Sequence, residues 1–179
     1  MDERGRIVLL TGPPGAGKTT VARLLAGRYE RAAHIESDLF FRFIAAGYIE
    51  PWLKESHAQN DVVMRAVEDA AASYAAAGYT TIVDGILIPG WCFESLRDGF
   101  RSRELDVASA VLRPPLPVSL ERAMGRSSVR RIDPGVIEQL WTAFADLGSL
   151  EPHVIDNGSQ TPEQTTALLE SRLRRSVDG

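Results

Sequence analysis

Cysteine, lysine, histidine and long apolar runs are all scarce in this chain. Its single cysteine, Cys92, excludes an intramolecular disulfide and any Cys-rich metal site, and reads most simply as a small apolar filler. The three histidines, His34, His57 and His153, lack the spacing of metal ligands. His34 and His153 lie in or beside strand patterns and are expected to be structural, while His57 opens a helix near the expected pocket. No apolar run approaches the ~20 residues of a membrane span, so no membrane partner is expected. Residues 1–5 are mixed in charge and carry no leader pattern, which gives a cytoplasmic expectation. A net charge of −4 argues against a nucleic-acid coat. No Asn-Lys-x-Asp segment occurs, which excludes a guanine-nucleotide switch.

Lysine is the most telling shortage. Of 20 basic residues only Lys18 and Lys54 are lysines, and all others are arginine. Lys18 falls inside Gly12-Pro13-Pro14-Gly15-Ala16-Gly17-Lys18-Thr19, a complete G-x-x-x-x-G-K-[ST] phosphate-binding loop. The loop follows the buried-strand pattern Arg6 to Thr11 and precedes helical spacing at Val21, Ala22, Leu24, Leu25 and Ala26. That context is what the motif requires. Glycines let backbone N–H groups turn around a polyphosphate, and the helix starting near Gly17 adds its positive dipole end. Lys18 is expected to reach the β- and γ-phosphates of ATP, and the Thr19 hydroxyl to ligate Mg²⁺.

At 179 residues, 44% hydrophobic and 25% charged, the composition is that of one globular domain over residues 1–179. Strand and helix patterns alternate throughout, which predicts an α/β fold with a parallel sheet covered on both faces. Strands are expected at 6–11, 32–35, 79–83, 107–112 and 153–155. Between them lie an aromatic helix from Leu39 to Ala46 and a long helix over 56–77, with Val62, Val63, Ala66, Val67, Ala70 and Tyr74 as its apolar stripe. Further helices are expected over 92–100, 117–126 and 136–147. A last helix opens at Thr161-Pro162-Glu163-Gln164, with a cap residue and then proline at its first position.

Acidic residues follow two strands on the edge that carries the phosphate loop, the edge where open parallel sheets bind ligands. Asp84, after Thr81-Ile82-Val83, is a natural second Mg²⁺ partner; the plainer reading is a turn residue before Gly85. A glycine after Asp84, where motor-type ATPases place a glutamate, argues for a transferase. Asp38 is placed to accept the proton of a substrate hydroxyl, or simply to cap the helix at Leu39, with Ser37 competing as cap and Glu36 as a rival base. Arg122 and Arg126 are four apart on a helix, with Arg130 and Arg131 following, so they form either a lid over the phosphates or a solvated basic face. Phe40, Phe41, Phe43, Tyr48 and Trp52 are dense for a chain that is 7% aromatic. Phe40 and Phe43 are spaced to share a buried face, and the remainder with Arg42 to line an acceptor pocket.

These motifs resemble the small P-loop kinases of the adenylate kinase, gluconate kinase, shikimate kinase and chloramphenicol phosphotransferase group. Gly12 to Thr20 resembles their phosphate loop, which extends the nucleotide contacts to Thr20, and Ile35-Glu36-Ser37-Asp38 their acidic segment. The resemblance implies a three-layer P-loop fold with a five-stranded sheet of order 2-3-1-4-5 and an Arg-rich lid over about 122–135. It implies Arg122 against adenine, Arg126 on phosphate, and the turn Asp156 to Gln160, including Gly158, at the adenine edge. It also implies an ATP-dependent phosphotransferase that uses Mg²⁺ and acts on a small-molecule hydroxyl, as monomer or homodimer. The segment Ile86 to Trp91 departs from nucleotide-accepting members because Pro89 is not followed by arginine. That points to an uncharged or weakly acidic acceptor such as a sugar acid or an antibiotic. The alternatives are an ATP-binding protein without transferase activity and a nucleoside or polynucleotide kinase.

Overall fold

The computed structural model describes residues 4–125 and 133–175. The apolar β-branched runs form strands, and each is followed by a helix that crosses a face of the sheet. Ile7–Thr11 (β1) leads through the phosphate loop to Lys18–Ala26 (α1), and Ala32–Glu36 (β2) leads to the short helix Ser37–Phe40 (α2). His57–Ala76 (α3) precedes Thr80–Gly85 (β3), and Phe93–Ser102 (α4) precedes Val107–Leu112 (β4). Leu116–Met124 (α5) and Pro134–Thr142 (α6) come before Val154–Ile155 (β5), and Pro162–Arg175 (α7) follows it. All recorded strand pairs are parallel and the order is β2-β3-β1-β4-β5, as the resemblance implied.

Both faces of the sheet are covered, which is why β1 is buried from end to end. Alternate residues serve opposite layers. Val8, Leu10 and Ile82 pack with Val21, Ala22 and Leu25 of α1 and Leu169 and Leu173 of α7. Ile7, Leu9 and Val83 pack with α3 and α4 on the other side. In α4 the stripe is Phe93, Leu96 and Phe100, spaced i, i+3, i+7 and buried. The last helix is capped reciprocally: Gln164 N donates to Thr161 Oγ1 at 3.2 Å, and Thr161 N donates to Gln164 Oε1 at 2.9 Å.

Three expectations need correction. The buried stripe of α3 is Asn60, Val63, Val67, Ala71 and Ala75, so Val62 and Tyr74 face outward. Alanine-rich helices offer several apolar stripes, and packing against β3 selects one of them. The aromatic helix ends early: α2 passes into a 3₁₀ turn at Phe41–Phe43, and Phe43 is 77% exposed although its ring meets Phe40 edge to face at 5.6 Å. The helix expected over 136–147 stops at Thr142, after starting on Pro134 with Asp133 as its cap. Arg126, Arg130 and Arg131 lie outside the described residues, and with them most of the expected lid.

One buried side chain joins the end of β1 to the segment after β3. Thr11 Oγ1 donates to Leu87 O at 3.0 Å and accepts from Leu87 N at 2.9 Å. Thr11→Val keeps the shape but strands both backbone groups of Leu87 in the core, at about 1–3 kcal/mol each. Urea denaturation is expected to give a lower midpoint for Thr11→Val and a nearly unchanged one for Thr11→Ser. Equal stability of Thr11→Val and the parent would contradict this reading of the joint.

Candidate active site

The loop between β1 and α1 is shaped by how closely other backbone approaches it. Gly12 has φ 147°, and a Cβ there would run into the carbonyl oxygen of Leu112. Gly15 has φ 77° and lies as closely against Ser119 O, while Gly17 caps α1 at φ 85°. Only glycine tolerates that combination of positive φ and close contact. Lys18 is 8% exposed, and its Nζ donates to Gly12 O at 2.9 Å and Pro13 O at 3.1 Å. Its ammonium is thus held over the concave side of its own loop. Asn157, buried after β5, donates through Nδ2 to Ala16 O at 2.9 Å and fastens the loop from the other side.

Strand register brings the remaining groups to this edge. Thr11 pairs with Gly85 and Glu36 with Asp84, so the ends of β1, β2 and β3 lie side by side. Asp84 is 1% exposed. Thr19 Oγ1 donates to its Oδ2 at 2.8 Å, and His34 Nε2 contacts its Oδ1. A carboxylate this deeply buried needs such partners. The plainer reading of Asp84 as a turn residue does not hold, because it is the last but one residue of β3 and bonded to α1. A hydroxyl and a carboxylate side by side match the hard oxygen donors that Mg²⁺ takes. Among the described residues no group of three His, Cys, Asp or Glu could hold a metal by itself, so the oxygen pair suits an ion shared with substrate phosphates.

The acidic residue that ends β2 and the one just past it separate in space. Glu36 points toward α1, 3.6 Å from Arg23. Asp38 lies inside the first turn of α2, whose cap is Glu36 without a side-chain hydrogen bond, so the helix-cap reading of Asp38 falls away. Asp38 instead lines a cavity of about 450 Å³ that extends from α2 toward α3 and α4. Phe41, Tyr48, Trp52 and Trp91 contribute aromatic walls, and Met64, Ile86, Leu96 and Leu140 apolar ones. Asp61, Arg65 and Glu68 of α3 add charge. Arg42, Phe40 and Phe43 are not among the lining residues, contrary to expectation for Arg42. His57 opens α3 but stays outside, 3.9 Å from Asp61. Cys92 lines the cavity, and burial pushes its thiol up to about 11, which leaves it protonated and unreactive near neutral pH.

Arg122 and Gly158 come together. Arg122 Nη2 donates to Gly158 O at 3.1 Å and to Asn157 O at 3.3 Å. Gly158 is itself packed under Pro115, where a Cβ would clash at 2.6 Å. Several residues of the site escaped the sequence reading. His34, expected to be structural, sits one diagonal step from Asp84 on the same sheet face and partners its carboxylate, a position that only the β2–β3 register reveals. Asn157 has no signal in the sequence beyond its place in the turn, and Asp61, Arg65 and Glu68 fall in no motif. No helix among the described residues is long and apolar enough to cross a membrane.

Comparisons with known proteins agree with this geometry. The model of the AAA domain family matches residues 7–147. A sequence comparison with curated proteins returns no match. Among solved structures, the tunicamycin resistance protein of Deinococcus radiodurans superposes with a TM-score of 0.72 at 22% identity, covering 95% of this chain and 96% of the other. The APS kinase of Mycobacterium tuberculosis, in complex with AMPPNP and APS, gives 0.72 at 17% identity over 96% and 98%. A gluconokinase from Sinorhizobium meliloti gives 0.67 at 17% identity over 99% and 96%. With its phosphate loop, sheet order and matched span, the chain belongs to the AAA domain family and has the fold of the small P-loop kinases.

Proposed function

We propose that this chain is an ATP-dependent kinase that moves the γ-phosphoryl group onto a hydroxyl of a small molecule. One observation carries the reading. The phosphate loop follows β1, and a separate cavity is bordered by Ser37, Asp38 and Ile86, the residues that follow β2 and β3 at the same carboxyl edge of the sheet. A protein that only binds ATP has no use for the second cavity. In this account Gly12, Pro13, Pro14, Gly15, Ala16, Gly17 and Thr20 form the cradle, with Lys18 and Thr19, around the phosphates. Lys18 exchanges its two carbonyl partners for phosphate oxygens, and stays with them as charge develops in transfer. Thr19 and Asp84 would hold Mg²⁺, which would supply neutralisation of phosphate charge. Arg122 and Gly158 bound the adenine side, and Arg126 is assigned to the transferring phosphoryl group.

Asp38 is the proposed base. The acceptor oxygen forms a bond to the γ-phosphorus while the bond from that phosphorus to the β–γ bridging oxygen breaks. Its electron pair leaves with ADP, and the acceptor's hydroxyl proton goes to the Asp38 carboxylate. Glu36 is the weaker candidate because its carboxylate is directed to Arg23. The apolar and aromatic walls exclude water from the acceptor, which limits hydrolysis of ATP in its place. The same reading takes residues 1–179 as one kinase domain with its lid over about 122–135.

Two substitutions test the reading. Lys18→Ala is expected to lower transfer by several orders of magnitude while circular dichroism and melting stay close to the parent, since its ammonium contacts loop carbonyls and not the apolar core. Retained turnover would remove the enzyme reading. Asp38→Asn preserves shape and removes the base, so transfer should fall by about 10²–10⁴-fold with Mg·ATP affinity unchanged in calorimetry. Unchanged transfer would move the base role to Glu36, and lost nucleotide affinity would move Asp38 to the metal site.

A further inference from the structure

Asp84 has two carboxylate oxygens, and two different elements claim one each. Thr19 Oγ1, near the start of α1, donates to Oδ2 at 2.8 Å, while Nε2 of His34, in β2, contacts Oδ1. A carboxylate only accepts, so Nε2 carries the proton in this bond, and the charge on its partner strengthens it. The register explains the reach. Glu36 stands opposite Asp84 and His34 opposite Ile82, which puts the imidazole beside the carboxylate on the face that α1 covers. The last torsion of an aspartate is loosely set, so a carboxylate held by one oxygen can still turn. Held by both, it cannot. Mg²⁺ demands near-octahedral oxygen geometry, so the pair Thr19 and Asp84 suits it best with the carboxylate fixed. Without the Nε2 hydrogen, Oδ1 would lose its partner in a residue only 1% exposed, and the carboxylate would turn toward Thr19 or draw in water to replace it.

From this we infer that His34 is a positioning residue of the transfer site: its bond to Oδ1 fixes the carboxylate of Asp84 with Oδ2 turned to Thr19, and so sets the affinity for the divalent cation that accompanies the nucleotide. This role rests on the kinase reading, with Thr19 and Asp84 assigned to the cation, and deepens it. His34 is not among the residues that line the cavity, so its effect on transfer passes through Asp84.

Mn²⁺ in place of Mg²⁺ gives a spectroscopic readout that needs no turnover. Electron paramagnetic resonance on the whole chain with a non-hydrolysable ATP analogue measures free and bound Mn²⁺, and calorimetry in EDTA measures the analogue without metal. His34→Leu removes the N–H and is expected to weaken Mn²⁺ in the ternary complex about tenfold or more, the usual cost of losing the partner of a metal-binding carboxylate. Affinity for the metal-free analogue should stay at the parent's value. His34→Gln, whose amide N–H reaches the Nε2 position, should restore most of the lost Mn²⁺ affinity. His34→Asn, whose amide stops short of that position, should not, and it reads the same loss if His34→Leu does not fold. A purely structural histidine would instead lower the urea midpoint and leave the Mn²⁺ affinity of the folded protein unchanged. That result would overturn the inference, and so would loss of metal-free analogue affinity or equal Mn²⁺ affinities for His34→Gln and His34→Asn. Asp84→Asn, measured alongside, separates this role from the kinase reading. Mn²⁺ weakened by Asp84→Asn but not by His34→Leu would leave that reading standing, whereas Mn²⁺ unchanged in both would remove the assignment of the cation to Thr19 and Asp84 as well.

Discussion

Burying the carboxylate of Asp84 is the constraint around which the rest of the site is arranged. At 1% exposure it cannot rely on water, so it must take its partners from the protein. Thr19 of α1 and His34 of β2 provide them. The pairing fixes where α1 begins relative to β3, and hence where the phosphate loop stands over the sheet edge. It also sets two oxygen donors side by side at the place where a triphosphate and its cation would come. The atoms that meet the structural need of a buried charge are of the kind that a hard cation takes as ligands.

Around that point the two faces of the sheet divide the work. The face covered by α1 and α7 carries Lys18, Thr19 and Asp84, the groups assigned to phosphate and metal. On the other face α3 and α4 stand off the sheet edge and leave the cavity between them, with α2 supplying Asp38 at its border. Asp84 and Asp38 stand at or just past the ends of β3 and β2, on the edge that carries the phosphate loop. Thr11, bonded to both backbone groups of Leu87, fastens this junction from the core side, and Asn157 fastens the loop from beyond β5. The fold thereby holds the phosphate loop and the strand ends beside it in fixed relation.

The phosphate loop was legible because its chemistry is local: glycines, lysine and threonine act within eight consecutive residues, and the flanking periodicities identify strand and helix. Asp84 and Asp38 were legible from their positions just after apolar runs. His34 was not, because its contact depends on β2 and β3 pairing in one register, which no local pattern encodes. The stripe of α3 was misjudged because its many alanines leave several faces equally apolar, and a buried Asn60 breaks the expected pattern. The amide nitrogen of Asn60 is satisfied, donating to Pro51 O at 2.8 Å and to Ser56 Oγ at 2.8 Å, whereas its Oδ1 is buried without a hydrogen-bond partner among the described residues. The cavity was visible only as an excess of aromatics; its charged side comes from α3, whose orientation is decided by packing.

The central claim is that the phosphate loop and the cavity form one transfer site, and a crystal structure with Mg²⁺ and a non-hydrolysable ATP analogue tests it most directly. The account predicts that Lys18 Nζ leaves the carbonyls of Gly12 and Pro13 for the terminal phosphate, that the ion lies between Thr19 and Asp84, and that the terminal phosphate faces the cavity at Asp38. A triphosphate bound elsewhere, or one whose terminal phosphate points away from Asp38, would contradict it.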